Sequence, residues 1–278
     1  MDNRILLHKR SLRDAFDRAA ERYDEVAVLQ REVGERIMER LQLVRISPQT
    51  ILDVGAGTGV FSQALSRRYA KSRVLALDIA PRMLLRARRR KGWFSRQGFI
   101  CGDADCLPIA SASVDLIFSN FTLQWCGELD RAFAEFRRVL KPGGLLMFST
   151  LGPDTLKELR QSWQAVDGRP HVHQFIDMHD VGDALLRAGL SDPVMDVENF
   201  TLAYDDAMQL MRELKIIGAH NAAIDRPPGL TGKGSLKKML SAYEELRRDG
   251  VLPATYEVVY GHAWGPLTTD NEVRVAFP

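Results

Sequence analysis

The stretch Leu52-Asp53-Val54-Gly55-Ala56-Gly57-Thr58-Gly59 decides the fold. It closes an apolar run, Thr50–Val54, and leads into the helix-patterned segment Val60–Tyr69. A buried strand that ends in glycines and opens a helix is the place where an α/β sheet meets a ligand. Glycine permits the tight turn and a close approach of ligand to backbone. Free N–H groups at a helix start favour an anion. A dinucleotide enzyme would continue as GxGxxG. Here the glycines stand at 55, 57 and 59, and Val60 follows. An ordinary glycine turn is the competing reading. The next apolar run, Arg73–Asp78, ends in an acid 19 residues after Gly59. An acid at that place and spacing accepts both hydroxyls of an unphosphorylated ribose. Turn and acid together predict an adenosine cofactor.

Outward from this pair, strands and helices alternate. Gly98–Cys101 and Val114–Phe118 read as the third and fourth strands, and Pro81 suits the first turn of the helix before them. Leu129–Leu140 reads as a helix stopped by Lys141-Pro142-Gly143-Gly144, and Leu145–Thr150 as the fifth strand. The alternation predicts parallel strands with crossover helices. Upstream, residues 11–42 read as two polar-faced helices, with Phe16, Ala19, Ala20 and Tyr23 at helical spacing. Downstream, 153–165, 178–188, 205–218 and 235–248 read as helices, with a Pro/Gly-rich loop at 226–234. Val194–Tyr204 and Tyr256–Trp264 read as late strands. The expectation is one α/β, Rossmann-like domain with a mostly parallel seven-stranded sheet flanked by helices. It would comprise N-terminal lid helices (1–46), a cofactor-binding core (47–152) and a helical insertion with late strands after the fifth strand (153–250). A final strand (251–266) and a flexible tail (267–278) would complete it.

The chain has 278 residues, enough to bury a core without disulfides or metals. Its net charge of +2 gives no global field that demands nucleic acid. Three cysteines with no CxxC pair point to a reducing compartment. The apolar run Ile5–Leu7 is too short for a secretion signal, and nothing approaches the ~20 apolar residues of a membrane span. A cytoplasmic protein without nucleic-acid or membrane partners is expected. No metal constellation is convincing. His171, His173 and His179 cluster in sequence, either as loop histidines or with one orienting a substrate.

Leu52–Gly59, Asp78, Gly102-Asp103-Ala104, Asn120 and Lys141-Pro142-Gly143-Gly144 resemble, in order, the motifs of class I S-adenosylmethionine (SAM) methyltransferases over about residues 50–150. Within that class, five further stretches are similar to the BioC family, the malonyl-acyl carrier protein O-methyltransferases of biotin synthesis. They are Ala15–Asp24 with Leu29-Gln30, Ser119–Trp125, Thr150–Leu159, Phe175–Asp180, and Gly218–Asn221 with Gly229–Gly232. The likeness spans roughly 10–265. It implies SAM as donor, S-adenosyl-L-homocysteine as product, and as acceptor the free carboxylate of a malonyl thioester on acyl carrier protein or coenzyme A. It also implies cofactor contacts from Asp53, Gly55, Ala56, Gly57, Gly59, Asp78, Ile79, Asp103 and Ala104. Asp103 would meet the adenine amino group. Asn120 would line the methionine end and, with Tyr23 and Gln124, the reaction centre. Competing readings are a turn aspartate for Asp103, a helix cap for Asn120 and a core aromatic for Tyr23.

For the acceptor, Trp125, His173 and Phe175 are candidates to pack on the substrate arm. Lys215 and Lys237, with Arg212, Lys233 and Lys238, are candidates to meet an acidic carrier. The run Arg82, Arg86, Arg88, Arg89, Arg90, Lys91 reads as a solvated helix face. Two other activities share this fold: an arginine hydroxylase, and a non-catalytic SAM-binding assembly factor.

Overall fold

The computed structural model describes residues 9–219 and 232–267. The Ile5–Leu7 run, His220-Asn221, Gly229–Thr231 and the tail from 268 lie outside the described residues. Seven strands form one sheet in the order β3-β2-β1-β4-β5-β7-β6. They are β1 (Thr50–Val54), β2 (Arg73–Asp78), β3 (Gln97–Cys101), β4 (Val114–Asn120), β5 (Leu140–Leu151), β6 (Ser191–Tyr204) and β7 (Leu252–Trp264). β1 to β5 are parallel, and β7 runs antiparallel between β5 and β6. The chain order reverses at β1, so the ends of β1 and β4 frame a crevice, the place where such sheets bind ligands.

Period-two alternation sorts side chains to two faces. Ile51, Leu116, Phe118 and Met147 join one core, while Leu52, Val54, Ile117 and Leu146 join the other. The helices are α1 (Lys9–Ala19), α2 (Tyr23–Val26), α3 (Val28–Arg40), α4 (Val60–Arg68), α5 (Pro81–Arg90), α6 (Leu129–Val139), α7 (Lys157–Gln164), α8 (Met178–Arg187), α9 (Ala207–Ile216) and α10 (Lys233–Glu244).

Three expectations are corrected. The upstream segment is three helices, not two, because Ala27 (φ −78°, ψ 47°) leaves the helical region between α2 and α3. α6 does stop before Lys141–Gly144, but β5 starts at Leu140 rather than Leu145, so this stretch lies inside the strand. There Gly143 N–H donates to the Gly265 carbonyl (3.0 Å), and Gly265 N–H to that of Gly144 (2.7 Å), so the glycines are where β7 joins. The region after β5 is not one insertion. α8 packs on β6 and α6 as a sheet-covering helix, while α7, α9 and α10 gather on the opposite face. α7 starts late because Leu156 is left-handed (φ 55°), with its N–H drawn to the Thr255 carbonyl.

Candidate cofactor and acceptor site

The carboxyl ends of the parallel strands open onto a cavity of 1510 Å³. A small-molecule site is typically about 300–1,000 Å³, so this one has room for two ligands. Gly55 and Gly57, Asp78 and Ile79, Asp103 and Ala104 line one part of it. Tyr23, Asn120, Gln124, Trp125, His173, Phe175 and Lys215 line the rest.

The glycines have separate jobs. Gly55 (φ 72°) must lack a side chain because a Cβ would come within 1.9 Å of Thr122 Oγ1. Thr122 is put there by the left-handed Phe121 (φ 52°), and its hydroxyl donates to the Val54 carbonyl (2.9 Å). Gly59 (φ 81°) seats α4 on α5, where a Cβ would meet that of Ala87 at 2.6 Å. Gly57 (φ 53°) is different: a Cβ there meets nothing within 4 Å. Its open side belongs to the cavity.

Six residues expected to touch ligands do not line this cavity: Asp53, Ala56, Gly59, Lys233, Lys237 and Lys238. Asp53 is buried under the turn and accepts the Ser62 hydroxyl (2.5 Å), which fixes α4 to β1. Burial pushes its carboxyl up to about 7. Ala56 N–H is spent on the Leu77 carbonyl (2.9 Å). Lys237 stands on the exposed side of α10 beside Ser241 and Glu244.

Asp78 is 8 % exposed. Its oxygens accept Gly57 N–H and Ala80 N–H, each at 2.8 Å. Burial raises its carboxyl to about 6, against the pull of those two N–H groups. The Tyr23 ring packs with Ala19, Ala20, Ala80 and Met83. Burial, then the charges of Asp78 and Asp24, push its phenol well above the ordinary range. Tyr23 is therefore both a packed aromatic and a cavity wall.

Asn120 caps no helix. Its Nδ2 donates to the Gln30 carbonyl (2.8 Å), and its Oδ1 accepts from the Ser149 hydroxyl (2.7 Å). It ties α3 to β5 across the crevice. Gln124 is held by the Phe121 carbonyl (2.8 Å) and the Thr150 hydroxyl (3.3 Å).

A set of latches, not legible locally in the sequence, holds the N-terminal helices over the strand ends. Lys9 Nζ lies 2.9 Å from Asp103 Oδ1 and 2.8 Å from Asp105 Oδ2. Asp24 accepts from Thr58 (2.6 Å) and from Arg90 (2.5 Å). Asp17 accepts Arg82 N–H, and Arg86 donates to the Glu21 carbonyl. This corrects the solvated-face reading of the arginine run. The side chains of Arg86 and Arg90, one helical turn apart, face the lid, whereas Arg82 meets it only through its backbone and, with Arg88, Arg89 and Lys91, is exposed.

At the far end of the cavity, Phe16, Trp125, His173 and Phe175 form a chain of ring contacts at 5.2–5.7 Å. His171 stacks on Trp163 at 3.9 Å and reaches Asp167 at 2.8 Å. Both histidines line the cavity, whereas exposed His179 pairs with Asp177 at the start of α8. Lys215 and Arg212 stand exposed on α9 at the cavity rim, with Arg169 and Arg18 also lining it.

A doubly wound sheet with an antiparallel seventh strand, a glycine turn and a ribose-competent acid is the framework of a methyltransferase domain, and the profile of a family described as "Methyltransferase domain" matches residues 52–148. Two relatives run nearly the whole length. The malonyl-[acyl-carrier protein] O-methyltransferase of Methylovorus sp. is 56% identical, over 98% of this chain and 93% of its own. That of Gallionella capsiferriformans is 50% identical, over 97% and 95%. The chain belongs to the malonyl-[acyl-carrier protein] O-methyltransferase family. Among solved structures, phosphoethanolamine N-methyltransferase 2 of Haemonchus contortus, in complex with S-adenosylhomocysteine, shares the fold. Its TM-score is 0.57 at 18% identity, covering 92% of this chain and 60% of that one.

Proposed function

We propose that this enzyme transfers the methyl group of SAM to the free carboxylate of a malonyl thioester carried on acyl carrier protein. The methyl ester so formed would open the pimeloyl chain of biotin. The observation that carries the reading is the single cavity, open at the Gly57 backbone and the Asp78 carboxylate at one part, and lined by aromatics and rim cations at another. SAM supplies the methyl on a sulfonium, from which it leaves by in-line displacement.

The residues present fit that cofactor. Asp78 accepts the ribose hydroxyls, and Gly57 and Ile79 lie along them. Asp103 keeps Oδ2 for the adenine amino group while Oδ1 holds Lys9 and Asp105 N–H. Ala104 offers its N–H to the adenine edge. Tyr23, Asn120 and Gln124 border the reacting atoms. Because both ends of the Asn120 amide are engaged, it acts by fixing the wall. A carboxylate acceptor is ionised at neutral pH, since its pKa is about 4, so no general base is required. The protein's part is to align two ligands and exclude water, an effect that can supply on the order of 7–11 kcal/mol. Trp125, His173 and Phe175 pack on the acceptor arm. Asp53 and Gly59 support the turn from behind.

Incubation with SAM and malonyl-carrier protein, followed by mass analysis, tests the reading. A malonyl methyl ester is expected. An oxygen gain on an arginine substrate, or no turnover, would replace it with the hydroxylase or assembly reading. Neither has a counterpart among the named relatives. A parallel reaction on malonyl-coenzyme A decides how far the enzyme depends on the carrier.

Two outcomes follow from the cofactor end. Asp78→Ala should weaken SAM about a hundredfold in calorimetry, while kcat at saturating SAM stays within a few-fold. The lost contact is remote from the moving methyl and so is uniform binding. In the wild type, SAM affinity should fall as pH drops below about 6, because Asp78 then takes up a proton and stops accepting fully from the ribose. A kcat collapse at saturation, or a flat affinity profile from pH 8 to 5, would contradict this role. Tyr23→Phe should lower kcat about tenfold with SAM affinity nearly unchanged. The ring that packs on Ala80 and Met83 is kept, and only the hydroxyl toward the Asp78 side is lost. Stopped-flow turnover beside calorimetry separates the two. A variant with full turnover would leave Tyr23 a packing residue alone.

A further inference from the structure

The charge of this chain is segregated. Residues 60–101 hold 11 of its 38 cations but one of its 36 acids, so the remainder carries net −8. That single acid is Asp78, buried in the cofactor site. The side chains of Arg86 and Arg90 reach the lid, and Arg82 meets it through its backbone N–H alone. Of the rest, Arg67, Arg68, Lys71 and Arg73 are exposed around the end of α4 and the start of β2. Arg88, Arg89, Lys91 and Arg96 are exposed around the connection from α5 to β3. None of these eight forms an ion pair with another described residue.

The same connection carries Trp93, 99% exposed, and Phe94, 101% exposed. Most exposed apolar residues are isolated and carry no message. Two adjacent aromatic rings wholly in solvent do. The loop is anchored, so their exposure is not that of a loose strand of chain. Ser95 Oγ is 2.9 Å from Ser66 Oγ, Arg96 donates to the Lys71 carbonyl (3.5 Å), and Gln63 donates to the Arg90 carbonyl (2.7 Å). The rings are held outward by a fixed base.

Strand register gives the location. Val74 pairs with Gln97 and Asp78 with Cys101, so the 91–96 connection lies at the edge opposite the cavity. The 10 residues of α5 separate the two by roughly 15 Å. This edge therefore lies away from the cavity mouth, where Arg212 and Lys215 stand.

We propose that the basic edge with Trp93 and Phe94 at its tip is a peripheral contact for a bilayer surface bearing anionic phospholipids. A bilayer interface receives both without shape complementarity, and Trp is the side chain that favours that depth. Anionic headgroups match the eight unpaired cations, each adding about fivefold in affinity near the surface. The contact is superficial. No described helix is long and apolar enough to cross a membrane. It revises the expectation of no membrane partner and does not depend on the acceptor proposed above.

The test is co-sedimentation of the full-length protein with vesicles of phosphatidylglycerol in phosphatidylcholine, and with phosphatidylcholine alone. Binding is expected to the anionic vesicles only, weakening with salt. Trp93→Ala/Phe94→Ala and Arg88→Glu/Arg89→Glu should each reduce the partition coefficient about tenfold or more, with unchanged methyl transfer to soluble substrate. Absence of wild-type binding to anionic vesicles would overturn the proposal. So would binding indifferent to both double variants, or a concentration-dependent dimer that the aromatic variant abolishes.

Discussion

Gly57→Val is expected to reduce SAM binding by more than a hundredfold while the protein keeps its native circular dichroism spectrum. The separation of binding from folding rests on where the added carbons go. At Gly57 a Cβ meets no protein atom within 4 Å, so the substitution violates no packing. The left-handed backbone (φ 53°) costs a non-glycine residue about 1–2 kcal/mol, which a domain with about 5–15 kcal/mol of stability absorbs. The valine branch instead occupies the space where the cofactor must meet the backbone. Gly55→Val provides the contrast. Its Cβ would strike Thr122, so it should fail by misfolding. Calorimetry and circular dichroism on both variants check this. Near-native SAM affinity in folded Gly57→Val would remove the turn from the cofactor site.

Reversal of charge at the rim, Arg212→Glu with Lys215→Glu, should lower kcat/KM on malonyl-carrier protein tenfold or more at low salt, mostly through association rate. Activity on malonyl-coenzyme A should fall less. The carrier is a folded acidic protein whose approach depends on charge over many ångströms, and the screening length is about 8 Å at physiological ionic strength. Wild-type activity on the carrier should therefore drop steeply as salt rises. Lys237→Glu should do little, because Lys237 does not line the cavity. Arg88→Glu/Arg89→Glu should also leave carrier activity intact, since those residues point away from the mouth. Stopped-flow association at two salt concentrations decides. Loss of carrier activity in the Arg88/Arg89 variant alone would move the docking surface to the basic edge and count against the membrane contact there.

The core of the fold was open to a reading of the sequence because local pattern and tertiary role coincide there. β1 and β2 end where their apolar runs end, at Val54 and Asp78. The glycine turn was legible as a unit, but not its division of labour. That Gly55 serves Thr122 and Gly59 serves Ala87 depends on residues 67 and 28 positions away. The Lys141–Gly144 stretch does follow the end of α6, but its place in β5 was not legible because its partner, Gly265, is far along the chain. Lys9, Asp24 and Asp105 escaped notice for the same reason: an ion pair between distant segments leaves no periodicity. Lys237 was misplaced because helical phase alone does not say which side of α10 faces the cavity. Methyl transfer to a carboxylate likewise leaves no motif of its own, so the acceptor was read from resemblance.

The latches at Lys9 and Asp24 bear on the order in which molecules come and go. They fasten the lid above the nucleoside side of the cavity, whereas the aromatic side is rimmed by α9 and the 165–177 segment. The chamber thus has two doors hung on different hinges. A carrier arm can be withdrawn past Lys215 without disturbing Lys9, while the spent nucleoside must wait for ion pairs to part. Exchange of the donor product is then the expected slower errand, and Lys9→Ala should speed its release in stopped-flow measurements.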